Sequence, residues 1–287
     1  MRFTSDELHD IASSEFLDKR FRDRMLSETQ IHEYRHHGHS IRLAGQRAPD
    51  DLMNRLFTIA DWMCQMTGLS GSRDKLHMTC WLYSDRKQLP RSGLPLMPVH
   101  LNSGMTVFPS RHIYIWRREE VEKVLIHEMI HALRLDKHWW DKDWPGGYKM
   151  AESWTEAMAV FYYQVFLRYC GVHAKLDDTI QRDEIRHNRE TCWQLLRHFG
   201  YQSMKEMRTD PGQDRWVEET NGWAYYIGRQ MIMCSPYFWR TIAKKGMCQW
   251  TPTMIRRCLR EIDWKEVDRR PGKQRRTKWI SATSRAI

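Results

Sequence analysis

An α+β fold, predominantly helical with one small mixed sheet, is what the sequence predicts. Apolar residues recur at helical spacing through most of the chain. The stretch from 75 to 116 is instead rich in β-branched and aromatic residues and alternates in polarity. With 287 residues, 41% of them apolar and 12% aromatic, the chain can fill a sizeable core.

Taken in order, residues 5 to 29 and 50 to 67 read as helices; Leu52, Leu56, Ile59 and Met63 line one face of the second, and Pro49 and Asp50 mark its start. Between them IHEYRHHGHS holds His32, His36, His37 and His39. Lacking a helical or finger-like ligand spacing, it reads as a solvated loop rather than a metal site. KLHMTCWLYS (75 to 84) and MTVFPSRHIYIW (105 to 116) read as strands, separated by the turn-forming PRSGLPLMP. Helices follow at 117 to 135, 149 to 169, 183 to 199, 215 to 233 and 251 to 262, broken by Gly200, Asp210-Pro211-Gly212 and Ser235-Pro236. This divides the chain into an N-terminal helical region (1–74), a core (75–170), a C-terminal helical region (171–267) and a basic, flexible tail (268–287).

The net charge of +10 is unevenly spread. The last 20 residues hold seven basic side chains (Arg269, Arg270, Lys273, Arg275, Arg276, Lys278, Arg285) against Asp268 alone. The rest of the chain carries about +4, so no basic face is indicated outside the tail. The first 30 residues are charged throughout, and no window approaches 18 uninterrupted apolar residues, which predicts neither a secretion signal nor a membrane span. Seven scattered cysteines without a C-x-x-C pair suit reduced thiols in an intracellular, reducing compartment, cytoplasm or nucleus.

The chemistry concentrates in VLIHEMIHAL, residues 124 to 133. A four-residue step on a helix leaves His127 and His131 on one face in adjacent turns, where two imidazoles can bind one cation. Glu128, about 100° round the helix, falls beside an open coordination position, where a general base belongs. Val124, Leu125, Ile126, Met129, Ile130, Ala132 and Leu133 make the helix apolar nearly all round. Burying two histidines and a glutamate there is costly unless a metal or partners compensate them. Downstream, AESWTEAMAVFYYQVF sets Glu152 and Glu156 four apart on another apolar helix, and two acids on such a face call for a cation nearby. Pro145, Gly146 and Gly147 lie between the two helices and can reverse the chain.

This pair of segments resembles the gluzincin branch of the zinc metallopeptidases, the zincins that carry H-E-x-x-H on one helix and a glutamate ligand on the next. The resemblance spans about residues 105 to 170. It implies a zincin-like core with an active-site helix and a glutamate helix, one Zn2+ per chain and hydrolysis of peptide bonds. His127 and His131 would be ligands and Glu128 the base. ESWTE matches an E-x-x-x-D/E pattern that makes Glu152 the third ligand and Glu156 the acid orienting a histidine. SWTEAMA also resembles W-x-x-E-G-x-A, which would make Glu156 the ligand instead, with the tryptophan one position too close and Ala157 in place of glycine. The metzincin pattern is not met, since Arg134 and Lys137 occupy its glycine and histidine positions, and His138 reads as a surface residue. H-E-x-x-H followed by E-S-x-T-E also resembles uncharacterised zincin-like proteins of large DNA viruses.

Two supporting roles complete the expectation. HIYIW could supply a sheet edge for an extended peptide, though a core strand is an equal reading. Tyr225, Tyr226 and Arg229 in TNGWAYYIGR are candidate oxyanion stabilisers. Two alternatives stand beside a peptidase acting on peptide or protein substrates. One is a nucleic-acid-associated zincin anchored through its tail, which could equally meet another acidic partner. The other is a catalytically inactive zincin-like protein, against which the intact Glu128 argues.

Overall fold

Thr4 and Glu7 open the first helix, α1 (Ser5–Ser13), with a capping box. The Thr4 N–H donates to the Glu7 carboxylate at 2.7 Å, and the Glu7 N–H donates to the Thr4 hydroxyl at 3.2 Å. The single helix expected over 5 to 29 is in fact two. Asp18 caps α2 (Lys19–Ser27) by accepting the Arg20 N–H at 2.9 Å, so the chain restarts a helix where periodicity alone suggests continuation. These coordinates are a computed structural model, which describes residues 2–68, 75–137, 150–172, 178–210, 215–245 and 251–271. The chain divides into two compact units, Met1–Lys87 with Met97–Arg134, and Gln88–Leu96 with Leu135–Ile287.

The first unit is built on a five-stranded mixed sheet in the order β1-β2-β3-β5-β4: β1 (Ile31–His36), β2 (His39–Ala44), β3 (His77–Tyr83), β4 (Gly104–Val107) and β5 (His112–Arg117). β2, β3 and β5 run parallel, and β1 and β4 pair antiparallel at the two edges. IHEYRHHGHS is therefore not a solvated loop but a hairpin. His37 and Gly38 turn it with φ of 47° and 84°, and Ile41, Leu43 and Ala44 of β2 bury their side chains. The polar residues that disguise β1 are tolerated because it is an edge strand. Since β2 and β3 pair directly, the boundary expected at residue 74 falls inside one sheet.

One sheet face is covered by α1 and α2. Ile11, Leu17, Phe21 and Met25 pack with Trp81, Tyr83, Tyr114 and Trp116. Alternation along β5 turns Ile113 and Ile115 to the other face, where α5 (Val121–Ala132) packs on β4 and β5, with α3 (Asp50–Thr67) against it. On the α1 side the buried Glu7, Arg42 and Thr79 form a polar cluster with His112. Glu7 accepts from Thr79 Oγ1 at 2.7 Å and from Arg42, and His112 Nε2 lies 2.8 Å from Thr79 Oγ1. Burial pushes His112 down to about 4. Burial acts to raise Glu7, but the Thr4 N–H, Thr79 and Arg42 outweigh it and hold the carboxyl below its usual range. Arg117, fully buried, donates to the carbonyls of Asn102 (2.9 Å), Asp85 (3.2 Å) and Val99, fixing the loop before β4 and its short helix α4 (Pro98–Leu101).

The second unit is helical: α6 (Met150–Tyr169), α7 (Asp178–His198), α8 (Met204–Thr209), a π-helical segment (Trp223–Gly228) continuing as α9 (Arg229–Met233), then α10 (Pro236–Lys245), α11 (Pro252–Arg260) and α12 (Trp264–Asp268). The helix expected from 215 begins only at Trp223, as a π turn. α6 packs against that segment through Gly228, where a Cβ would fall 1.9 Å from Ser153 Oγ, so only glycine fits there. Among the described residues no helix is long and apolar enough to cross a membrane, and the cysteines form no disulfide.

Candidate metal centre

Each half of the expected site lies in its own unit. In the first, α5 is entered through Glu120, whose backbone adopts φ 58° and whose carboxylate lies 3.3 Å from both Lys87 Nζ and Lys123 Nζ. Arg55 on α3 bonds Glu122 at 2.6 Å and ties down the next residue. All twelve residues of α5 are buried, as its unbroken apolar surroundings predict.

His127 and His131 are 6% and 9% exposed, and their Nε2 atoms point at each other across 3.0 Å with the rings 75° apart. Two imidazole nitrogens each about 2.0–2.1 Å from a tetrahedral zinc would be about 3.3 Å apart. The spacing of the pair therefore fits a shared cation with a few tenths of an ångström of adjustment. Both nitrogens are presented by helix geometry alone, as the i, i+4 spacing predicts.

Glu128 is also buried. Thr106 on the edge strand β4 donates from Oγ1 to Glu128 Oε2 at 2.8 Å and to its backbone carbonyl at 3.0 Å. Gly104, two residues earlier on the same strand, makes this approach feasible. A Cβ at 104 would sit 2.9 Å from Glu128 Oε1 and 2.9 Å from Val124 Cγ1. β4, not HIYIW, forms the sheet edge next to Glu128; β5 is an interior strand between β3 and β4 with Ile113 to Arg117 buried. Neither Thr106 nor Gly104 stands out in the sequence, because both act through a strand pairing that local spacing does not encode.

In the second unit, Glu152 and Glu156 sit on α6 at 7% and 9% exposure. Glu156 Oε2 accepts from Arg229 Nη1 at 2.9 Å. Arg229 in turn donates from Nε to Asn188 Oδ1 at 2.8 Å, and Asn188 Nδ2 donates to the Tyr226 carbonyl (3.0 Å) and to Gln230 Oε1 (2.8 Å). The π turn accounts for this network. Its Tyr226 carbonyl, besides the backbone N–H of Arg229, accepts from Asn188 and from the Cys192 thiol (3.1 Å). Arg229 is thus brought to Glu156, a pairing that sequence spacing does not reveal. Tyr226 is buried and Tyr225 half-buried beside it. His138 and the tail beyond residue 271 lie outside the described residues.

No family model matches the chain, and no curated protein matches it.

Proposed function

We propose that the protein is a zinc-dependent metallopeptidase in which a metal-activated water attacks a peptide carbonyl with Glu128 as general base. The observation that carries this reading is the buried His127–His131 pair, Nε2 to Nε2, with a buried carboxylate on the adjacent residue of the same helix. In this reading His127 and His131 are two of the ligands and Glu152 is the third. Three protein ligands leave the fourth position for water or substrate, as catalytic rather than structural zinc requires. Bound there, zinc would lower the pKa of that water and polarise the carbonyl.

The chain's own residues supply the rest. Glu128, oriented by the Thr106 hydroxyl, receives the proton of the water and passes it to the leaving amine. The edge strand β4 offers backbone groups with which an extended peptide can pair. Glu156, fixed by Arg229, serves as the acid that orients the ligand set from α6, and Glu152 as the ligand itself. Tyr225 and Tyr226 are the candidates for stabilising the oxyanion. Arg229 contributes by holding Glu156 rather than by touching substrate.

The test is cleavage of a defined peptide library read by mass spectrometry. The zinc-loaded chain should cleave, a chelator should stop it, added Zn2+ should restore it, and Glu128→Gln should leave zinc bound but abolish cleavage. Cleavage that survives chelation and the Glu128 change unaltered would sink the reading.

A further inference from the structure

A second histidine cluster lies on the same unit, on the β1–β2 hairpin, and serves none of the chemistry above. The register pairs His36 with His39 across the hairpin, with His37 in the turn, and Asp61 on α3 faces all three rings. Asp61 Oδ2 is 2.8 Å from His37 Nδ1 and 3.6 Å from His36 Nε2. Its other oxygen, Oδ1, is 3.2 Å from His39 Nε2.

His39 is what makes this a built arrangement. Its side chain is fully buried. Its Nδ1 accepts the Leu76 backbone N–H at 2.8 Å, which places the imidazole proton on Nε2 and directs it at Asp61 Oδ1. A buried histidine thereby holds the carboxylate in one orientation and leaves Oδ2 turned toward His36 and His37. Those two rings lie with centroids 3.7 Å apart, and His36 also lies against Phe57 at 5.5 Å. An ordinary hydrogen bond accounts for the 2.8 Å contact to His37 but not for His36, whose nitrogen points at the same oxygen from beyond hydrogen-bond range. The left-handed φ of 47° at His37, which an L residue adopts at a cost, is what brings its ring to that point.

We propose that His36 Nε2, His37 Nδ1 and Asp61 Oδ2 form a second metal site, for a divalent transition cation of the Zn2+ class. The three ligand atoms lie within 4.8 Å of one another, and two imidazoles with one carboxylate are a donor set suited to such ions rather than to Ca2+ or Mg2+. His39 acts from behind the carboxylate as its positioning residue, in the way outer hydrogen bonds orient metal ligands. His36 and His37 are 49% and 66% exposed, so the cation would be open to solvent and able to exchange or to take a further ligand from outside.

The test is Zn2+ titration of the full chain, stripped of metal with a chelator, by equilibrium dialysis. The parent is compared with the His36→Ala/His37→Ala double variant, with Asp61→Asn, which keeps an oxygen for His39 but removes the anionic ligand, and with His32→Ala as a hairpin control. Circular dichroism checks that each variant folds. The expected result is that the parent and His32→Ala take up one more equivalent of zinc than the double variant, and that Asp61→Asn weakens that equivalent at least tenfold. Equal stoichiometry and affinity in the folded parent, double variant and Asp61→Asn would overturn the proposal. The reading is a difference between chains that all retain His127 and His131, so it does not depend on whether the α5 pair binds metal.

Discussion

Two histidine pairs on the same unit invite comparison. His127 and His131 project from a helix buried on all sides, four residues apart, and their separation is dictated by helical pitch. His36 and His37 project from a hairpin tip into solvent, and they meet only because an unusual backbone conformation and a carboxylate from α3 bring them together. The first pair carries a desolvation cost that something must offset, whereas the second carries almost none. The difference teaches where to look for consequences. Loss of metal from α5 should unsettle both stability and chemistry, while loss of metal at the hairpin should remove one equivalent of bound zinc and leave the chemistry unchanged.

The strongest way to break the comparison is to remove the base beside the buried pair. Glu128→Gln keeps shape and burial, so zinc should remain while turnover falls about 10² to 10⁴-fold, the usual reach of general base catalysis. A steady-state peptidase assay with metal analysis on the same sample decides it; a loss below tenfold would remove Glu128 from the chemistry. Next in size, zinc at 100 times its dissociation constant should stabilise the fold by about 2.7 kcal/mol by mass action. In the His36→Ala/His37→Ala background, where the hairpin cannot add its own increment, that stabilisation should vanish in His127→Ala, as read by denaturant titration with and without Zn2+. Equal stabilisation of parent and variant would place the metal elsewhere.

Gly104→Ala probes the packing that delivers Glu128. A methyl group 2.9 Å from the carboxylate and from Val124 must push something aside, so a cost of about 1–3 kcal/mol and a drop in turnover are expected together. Unchanged stability would mean that β4 yields freely and does not position Glu128.

His112 supplies a contrast of another kind, a buried histidine satisfied by hydrogen bonds rather than by metal. Its folded pKa of about 4 lies below the unfolded value of about 6.5, so the folded chain resists its protonation. Stability should be complete above about pH 6.5 and should fall as pH drops toward 4, by at most roughly 3 kcal/mol. Glu7, held below its usual range, adds a loss at still lower pH, as its carboxylate is protonated in the unfolded chain first. His112→Gln should flatten the upper part of this profile, checked by melting temperature at a series of pH values; a variant profile parallel to the parent's would mean that His112 does not carry it. Smallest of all, His36→Ala/His37→Ala should shift metal-free stability by no more than about 0.5 kcal/mol, since both side chains are exposed.

The sequence is legible where one element carries the information. α3 begins and ends at the residues that its periodicity marks, and α5 and α6 emerge within a few residues of expectation because each is apolar over several turns. The face shared by His127 and His131 follows from spacing alone. What depends on pairing across the chain is not legible. The hairpin at His36–His39 hides behind polar residues that an edge strand tolerates, and the edge strand beside Glu128 is β4 rather than HIYIW because strand order, not composition, decides it. The single N-terminal helix of the periodic pattern is interrupted by the cap at Asp18. Thr106 and Gly104 acquire meaning only through their approach to α5, and Asn188 and Arg229 only through a π turn that has no marker in the sequence.

The central claim is that α5 holds a catalytic zinc, and its most direct test is zinc per chain by elemental analysis. The protein should be purified without affinity-tag metals, in the His36→Ala/His37→Ala background, so that the hairpin cannot contribute. The account predicts one zinc in that background, retained by Glu128→Gln and Glu156→Gln and lost by His127→Ala and by Glu152→Gln. A folded chain that takes up no zinc, or a His127→Ala variant that holds as much as its parent, would contradict it.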